Sequence, residues 1–421
     1  MKRRKGGKYS DRSAELRKKK IKRKVISYED VPLEEYEDER TKISKSAVKR
    51  IVLFAGLILL LGLVVFAIAN RDNLTPERIS RWITYDLLGS RDTGYPVDIV
   101  GSNVEKGNFA YEGNIQYVSD TSFVALASNG NELAYKQLTF ARPILASAGD
   151  NVIIYNLGGT GYITGNKKEL RNVREDENDI FTADINSKGY YCITTKVDGY
   201  LSKITVYNKD NEKVYAYLFA DYYINAVALN NDGTGCVACG FSGSDGSLSS
   251  IAYVLDFSKE EPLATYSLDE NPIYSVEYLD NNNVCMVGSD ASYTLEISSG
   301  KLSQIDYNQM KLTAFDINKD TGNFVLSLSR SGDGRKCSLE YINRFGEVIG
   351  VNDTERKIDS VSLYKNRIGV LDNNKCYIYD TDGNKISKAK TGNGSKAIRL
   401  ESPDSAYVLG INEIRKVIDF N

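Results

Sequence analysis

Two kinds of hydrophobic patterning divide this chain. Residues 51–69 (IVLFAGLILLLGLVVFAIA) contain no charged or strongly polar side chain. As a helix rising ~1.5 Å per residue, such a run covers about 28 Å, close to the ~30 Å hydrocarbon core of a bilayer. A soluble helix of this length carries a polar stripe, and this run has none. It therefore predicts a transmembrane helix over residues 51–70. From residue 97 onward the pattern changes to short runs rich in Val, Ile, Tyr and Phe, broken by Asn, Asp and Gly. Those runs predict β-strands joined by tight turns.

The strands recur as a unit. GNFAYEGNIQYVSDTSFVALASNGNELAY (107–135) and DSVSLYKNRIGVLDNNKCYIYDTDGNKIS (359–387) share one plan of strand, turn, strand, turn, strand, hairpin. The last hairpin of each unit falls near Gly130, Gly165, Asn211, Lys259, Gly300, Gly346 and Gly383, at spacings of 35 to 48 residues. A period near 40 with four short strands is the mark of a β-propeller blade. The final unit, Ala397–Asn421, has three runs and no fourth, while PVDIVG (96–101) stands alone ahead of the first unit. Pairing the two closes the ring and removes its open edge. The expectation is an all-β propeller of four-stranded antiparallel blades over residues 96–421. Eight blades are favoured, with seven as the alternative.

Between span and ring, residues 71–95 predict a short amphipathic helix and a linker. Thr75 is its N-cap, Pro76 opens the first turn, and Ile79, Trp82, Ile83 and Leu87 share one face. Charge then orients the chain. Residues 1–50 carry 18 Lys or Arg against 9 Asp or Glu, so the total of −2 leaves −11 for the remainder. The basic excess before the span predicts a cytoplasmic N-terminus and an exterior C-terminal domain at the plasma membrane. Residues 1–50 read as a largely disordered tail, basic at Lys2–Lys24 and acidic at Glu29–Glu39. Its basic block serves topology, and no nucleic-acid partner is expected.

Composition narrows the chemistry. The sequence has no histidine, which excludes Ser-His-Asp triads, Cys-His dyads, HExxH zinc sites and His-ligated haem. Its six cysteines stand in strand-like runs of different units, as small buried hydrophobes do. Cys236 and Cys239 form a CxxC, but on a strand residues three apart face opposite ways. Asp380–Asn384 and Ser331–Gly334 resemble calcium loops and lack the closing Glu, so they read as turns. Gly158, Gly159, Thr160, Gly161 and Tyr162 form the densest glycine motif of the repeats. They read as a strand corner and as the candidate ligand contacts. Tyrosine is abundant, with 29 copies against a single Trp. Strand-face packing accounts for most of them, and exposed ones can stack on sugars or anchor a partner. Paired carboxylates could act on glycans without histidine, but the sequence nominates no pair.

The order of YPVDIVG (95–101), GNFAYEG, the stretch from Ser119 to Gly130, YNLGGTGY (155–162), VYNKDNE (206–212) and YYINAVALNNDG (222–233) is distinctive. It resembles a clostridial single-pass membrane family of unknown function whose exterior domain is similar to quinoprotein and WD-type propellers. The resemblance implies a fold and a place, and no activity. No cofactor is implied, because this chain has no Trp beyond Trp82. The combined expectation is a non-catalytic, membrane-anchored scaffold that binds an envelope protein or a cell-wall polymer. The alternatives are a glycan-active or glycan-sensing propeller and a transmembrane signalling protein acting through its tail.

Overall fold

The computed structural model describes residues 49–50, 53–62, 94–244, 246–418 and 420. The chain divides into two compact units, Met1–Ser80 and Arg81–Asn421. The expected tail (but for its last two residues), most of the linker with its amphipathic helix and Trp82, and part of the apolar run lie outside the described residues. In the first unit, residues 53–62 are helical. Leu53, Phe54, Leu57, Ile58, Leu59, Leu60 and Leu61 are all more than half exposed there. Among the described residues no helix is long and apolar enough to cross a membrane. The described stretch covers only part of the run at 51–69.

Among the described residues the second unit contains eight sheets, seven of four strands and one of five. Counting blades along the chain, the inner strands are Phe109–Tyr111, Pro143–Ala148, Ile180–Ile185, Tyr223–Leu229, Ile273–Tyr278, Lys311–Asn318, Ser360–Tyr364 and Ala397–Ser402. Each opens an antiparallel meander, and inner strands of neighbouring blades pack on one another at six of the eight junctions, the exceptions being blades 1 and 2 and blades 5 and 6. Burial follows position in the blade. Asn283–Gly288, a second strand, is buried throughout, while the outer strand Lys385–Lys390 alternates exposed and half-buried. Second and third strands are covered by neighbouring blades on both faces, so their sequences are nearly continuous in apolar residues.

The core is divided among eight apolar clusters, one at each junction between neighbouring blades. Blades 4 and 5 meet through Cys239, Val254, Val276, Met286 and Tyr293. Burying one large apolar side chain is worth ~1.5–3 kcal/mol. Each junction contains several, so the ring is held by repetition rather than by one centre.

Closure follows the expectation. Strand Val97–Asp98 pairs antiparallel with Glu413–Ile418, setting Val97 against Ile414 and Asp98 against Glu413, and supplies the fourth strand of blade 8. The Ile99 amide extends the ladder to the Asn412 carbonyl at 2.8 Å. The same segment is also tied to blade 1: the Val100 amide donates to the Tyr117 hydroxyl at 3.0 Å, and the Ser122 hydroxyl donates to the Val100 carbonyl at 3.0 Å. Gly101 turns the chain between them at φ +85, where a Cβ would stand 2.3 Å from the Ser119 Oγ. Any side chain there would be strained by the positive φ and crowd the Ser119, Asp120 and Thr121 side chains.

The hairpin ruler holds for six of the seven units, whose marked residues lie at the connection between third and fourth strands; Gly165 instead lies inside the third strand, Gly161–Asn166, paired with Val152 and Leu170. Two details depart from the regular unit. The outer edge of blade 2 is split into Glu169–Leu170 and Arg174–Glu175, both on the third strand. In blade 4, Gly235–Ser244 and Ser247–Asp256 are ten residues each and run past the start of their inner strand. The segment FSGSDGSLSS has no apolar alternation, so its strands were not visible as such.

Candidate functional site

The inner strands of blades 3 to 6 share a fault in register. The ladder slips between Ile180 and Thr182, between Ile224 and Ala226, between Ile273 and Ser275, and between Leu312 and Ala314. Each is a β-bulge with one extra residue, namely Phe181, Asn225, Tyr274 and Thr313. A bulge re-aims the side chain it carries. Asn225 uses its own to bond the next blade, donating to the Ile273 carbonyl at 2.7 Å, and Thr313 bonds Ser327 of its own sheet. Phe181 and Tyr274 have no such tie. Tyr274 is 60% exposed. The Phe181 ring meets Tyr223 edge-on at 6.1 Å, and Tyr223 lies 6.3 Å from Phe241 on the long blade-4 hairpin. An aromatic lip thus rises where the inner strands begin.

Behind Tyr274 is a central cavity of about 550 Å³. Three residues past the extra one, three blades place an acid on its wall: Asp184, Glu277 and Asp316. Glu112 and Lys319 also line it, with Arg399 from blade 8. Lys319 pairs with Glu277 at 2.7 Å while 47% of its side-chain surface stays open. The Asp184 carboxylate accepts the Leu229 amide at 2.8 Å, and Asp316 accepts the Leu363 amide at 2.6 Å, so each acid also clamps its blade to the next. The Arg399 guanidinium donates to the Ile398 carbonyl at 2.9 Å.

The ring surrounds these groups with protein yet leaves them in reach of water, and their proton affinities reflect the crowding. Burial, reinforced by Glu277, pushes Asp184 up to about 7, against the pull of Lys319. Burial also raises Asp316 against the opposing Arg399, and raises Glu112 against Lys319. Burial disfavours the Lys319 ammonium, but Glu277, Asp184 and Glu112 more than compensate and hold it well above its ordinary value. The cavity is therefore a mixed set of acceptors and donors whose proton affinities are set by burial and by one another. Among the described residues no group of three His, Cys, Asp or Glu is arranged to hold a metal.

The glycine motif lies elsewhere. Gly158, Gly159 and Thr160 make the corner between Asn151–Asn156 and Gly161–Asn166 of blade 2. Their backbone is occupied: the Gly158 amide donates to the Ile180 carbonyl at 2.8 Å, and the Ile180 amide donates to the Gly159 carbonyl at 2.8 Å. A Cβ on Gly161 would stand 2.6 Å from the Phe140 ring. Tyr162 is buried, its ring 6.0 Å from Tyr191. None of the five lines the central cavity. The corner fastens blade 2 to blade 3.

The other motifs are structural. All six cysteines are free and buried. Cys236 faces the junction of blades 3 and 4 and Cys239 that of blades 4 and 5, as strand geometry requires. Burial raises both thiols above their ordinary value. The hairpin at Asp380–Asn384 closes on itself, with the Asp380 carboxylate accepting the Asn384 amide at 2.7 Å. At Ser331–Gly334 the Asp333 carboxylate accepts the Arg335 amide at 3.1 Å. Tyr215, Tyr217, Tyr222 and Tyr253 pack between blades 3 and 4 with Phe219 and Phe257. What sequence reasoning missed is the cavity set. Asp184 and Asp316 stand in DINSKG and DINKDTG, and Glu277 in EYLDNN, where an acid before a turn looks like turn chemistry.

Residues 91–418 match a family described as a family of unknown function (DUF5711). The chain belongs to this family. Its matched span coincides with the closed ring and includes both the clasp strand and the cavity. No curated protein matches the sequence. Among solved structures, the C-terminal WD40 domain of Sif2 is similar over 78% of this chain and 99% of its own, with 12% identity and a TM-score of 0.55. BamB from Moraxella catarrhalis matches over 77% of this chain and 100% of its own, with 13% identity and a TM-score of 0.48. At these identities the likeness concerns fold alone. The family and the propeller are thus established.

Proposed function

We propose that the chain is a non-catalytic binding platform of a low-GC Gram-positive envelope, tethered to the plasma membrane through residues 51–70 with its ring outside. The observation that carries the binding role is the lip: Tyr223 and Tyr274, 43% and 60% exposed, beside a projecting hairpin and an open cavity. Exposed aromatics on a rigid frame are the residues that anchor a partner. Closure fixes their positions before the partner arrives, which lowers the entropy lost on binding. The tether rests on the uninterrupted apolar run and on the exposure of its described side chains. The partner is an envelope protein or a wall polymer.

Capture from detergent-solubilised envelopes and from wall fragments tests the platform. The full chain is expected to retain a partner that the double variant Tyr223→Ser/Tyr274→Ser loses. Equal capture by both would refute the lip. For the tether, wild type should stay in the membrane pellet after alkaline washing, and a chain lacking residues 51–69 should not.

A further inference from the structure

We infer that the central cavity is a saccharide subsite: a short polyhydroxylated chain enters past Phe181, stacks a ring on Tyr274 and sets its hydroxyls against Asp184, Glu277 and Lys319. This deepens the platform reading, because it assigns a ligand class to the cavity behind the same lip.

Three observations converge on it. First, the lining is mixed. Asp184, Glu277, Asp316 and Glu112 offer acceptors, while Lys319 and Arg399 offer donors. A sugar hydroxyl both gives and takes a hydrogen bond, so a saccharide satisfies both sets. A simple cation meets Lys319 and Arg399 in the same space, and a simple anion meets four carboxyls. Neither matches the wall. Second, the bulges of blades 3 and 5 bring Phe181 and Tyr274 to the start of their inner strands, and Tyr274 lines the cavity itself. Its phenol ring is an apolar face with a polar tip, suited to a ligand with apolar ring faces and polar edges. Third, the volume of about 550 Å³ lies within the ~300–1,000 Å³ of small-ligand sites. That is room for two or three sugar rings.

Crowding adds a reason for such a ligand. The Lys319–Glu277 pair is only partly covered, with 47% and 31% of the two side chains open. Hydroxyls can replace the water on these groups without leaving a charge unpaired, which keeps the cost of desolvation low.

The test is calorimetric titration of the full chain with N-acetylchitotriose, maltotriose and spermidine. At least one sugar is expected to bind, and spermidine is not. Tyr274→Ala and Asp184→Ala should each weaken the sugar by about tenfold or more. Tyr274→Phe should retain it, which separates loss of the ring from loss of fold. Tyr200→Ala, at an exposed tyrosine that does not line the cavity, should leave it unchanged. Binding of spermidine alone, binding of neither sugar, or equal effects of Tyr274→Ala and Tyr200→Ala would each overturn the subsite. If the sugars fail while envelope capture still depends on Tyr223 and Tyr274, the platform stands and the saccharide falls.

Discussion

The inner strands of blades 3 to 6 and those of blades 1, 2 and 7 have the same task and different construction. In the first arc every inner strand is bulged near its start, and three of the four carry an acid three residues after the extra one. The second arc pairs in unbroken register. There, Asn108, just ahead of its inner strand, holds the Leu145 amide at 3.0 Å, Ser362 holds the Leu400 amide at 2.9 Å, and one carboxylate, Glu112, accepts the Gly149 amide at 3.2 Å. Both arcs thus bridge the blades through side chains at or beside the inner strands. The first arc relies on Asp184 and Asp316 together with the uncharged Asn225, the second mostly on groups that never ionise. An uncharged group can make the same tie, so the concentration of carboxyls on one arc points to binding beyond architecture.

The largest expected effect falls at the junction of blades 8 and 1 and spares the charged arc. Tyr407→Ala removes a buried ring that meets Tyr95 at 5.2 Å and Tyr111 at 5.5 Å. It also strips the hydroxyl that donates to Glu401 at 2.8 Å. A loss of about 3–5 kcal/mol is expected in chemical denaturation. Next comes the cation of the charged arc. Lys319→Met leaves Glu277, Asp184 and Glu112 uncompensated. The melting temperature should fall by several degrees at pH 8 and by much less near pH 4, where Asp184 and Glu112, both raised by burial, are protonated. Equal losses at both pH values would remove Lys319 from its compensating role.

A smaller effect has the opposite sign. Asp184 binds its proton more tightly when folded, at about 7 against an ordinary 3.8. Its contribution to stability is full below pH 3.8 and is lost as pH climbs through 7. Asp184→Asn mimics the protonated acid and can still accept the Leu229 amide. It should flatten that slope, raising the melting temperature at pH 8 by roughly 2 °C and leaving pH 4 unchanged. An unaltered pH profile would contradict the assignment. Least of all, Tyr274→Ser should change stability by no more than ~0.5 kcal/mol, as for an ordinary surface residue. Its effect belongs to binding alone.

Much of the ring was legible in the sequence because its signals are local and repeated. Turn residues at Gly130, Asn211, Gly346 and Gly383 need positive φ, and all four have it. The orphan run at Pro96–Gly101 and the missing strand after Ile418 predicted one another, since an open edge is unfavourable anywhere in a closed ring. The cavity was illegible for the converse reason. Asp184, Glu277 and Asp316 are separated by whole blades in sequence, and only closure brings them to one wall. The bulges that aim Phe181 and Tyr274 leave no mark in composition, because one extra residue in a strand looks like any other. Local density was legible too: Gly158–Tyr162 stood out for its glycines, and these form the expected strand corner, placed away from the cavity wall.

The clasp of Val97 on Ile414 also sets an order of events in time. Blade 8 takes its outer strand from the beginning of the propeller and its other three from the end, so it cannot be completed until the ribosome has delivered Glu413–Ile418. Until then blade 1 presents a bare flank where Phe109, Tyr117 and Leu126 will later meet blade 8. Contacts so distant in sequence form late. The growing chain must carry its first blade half-covered through the synthesis of the other seven, and a chain stopped before Glu413 would hold seven complete blades and no closed ring.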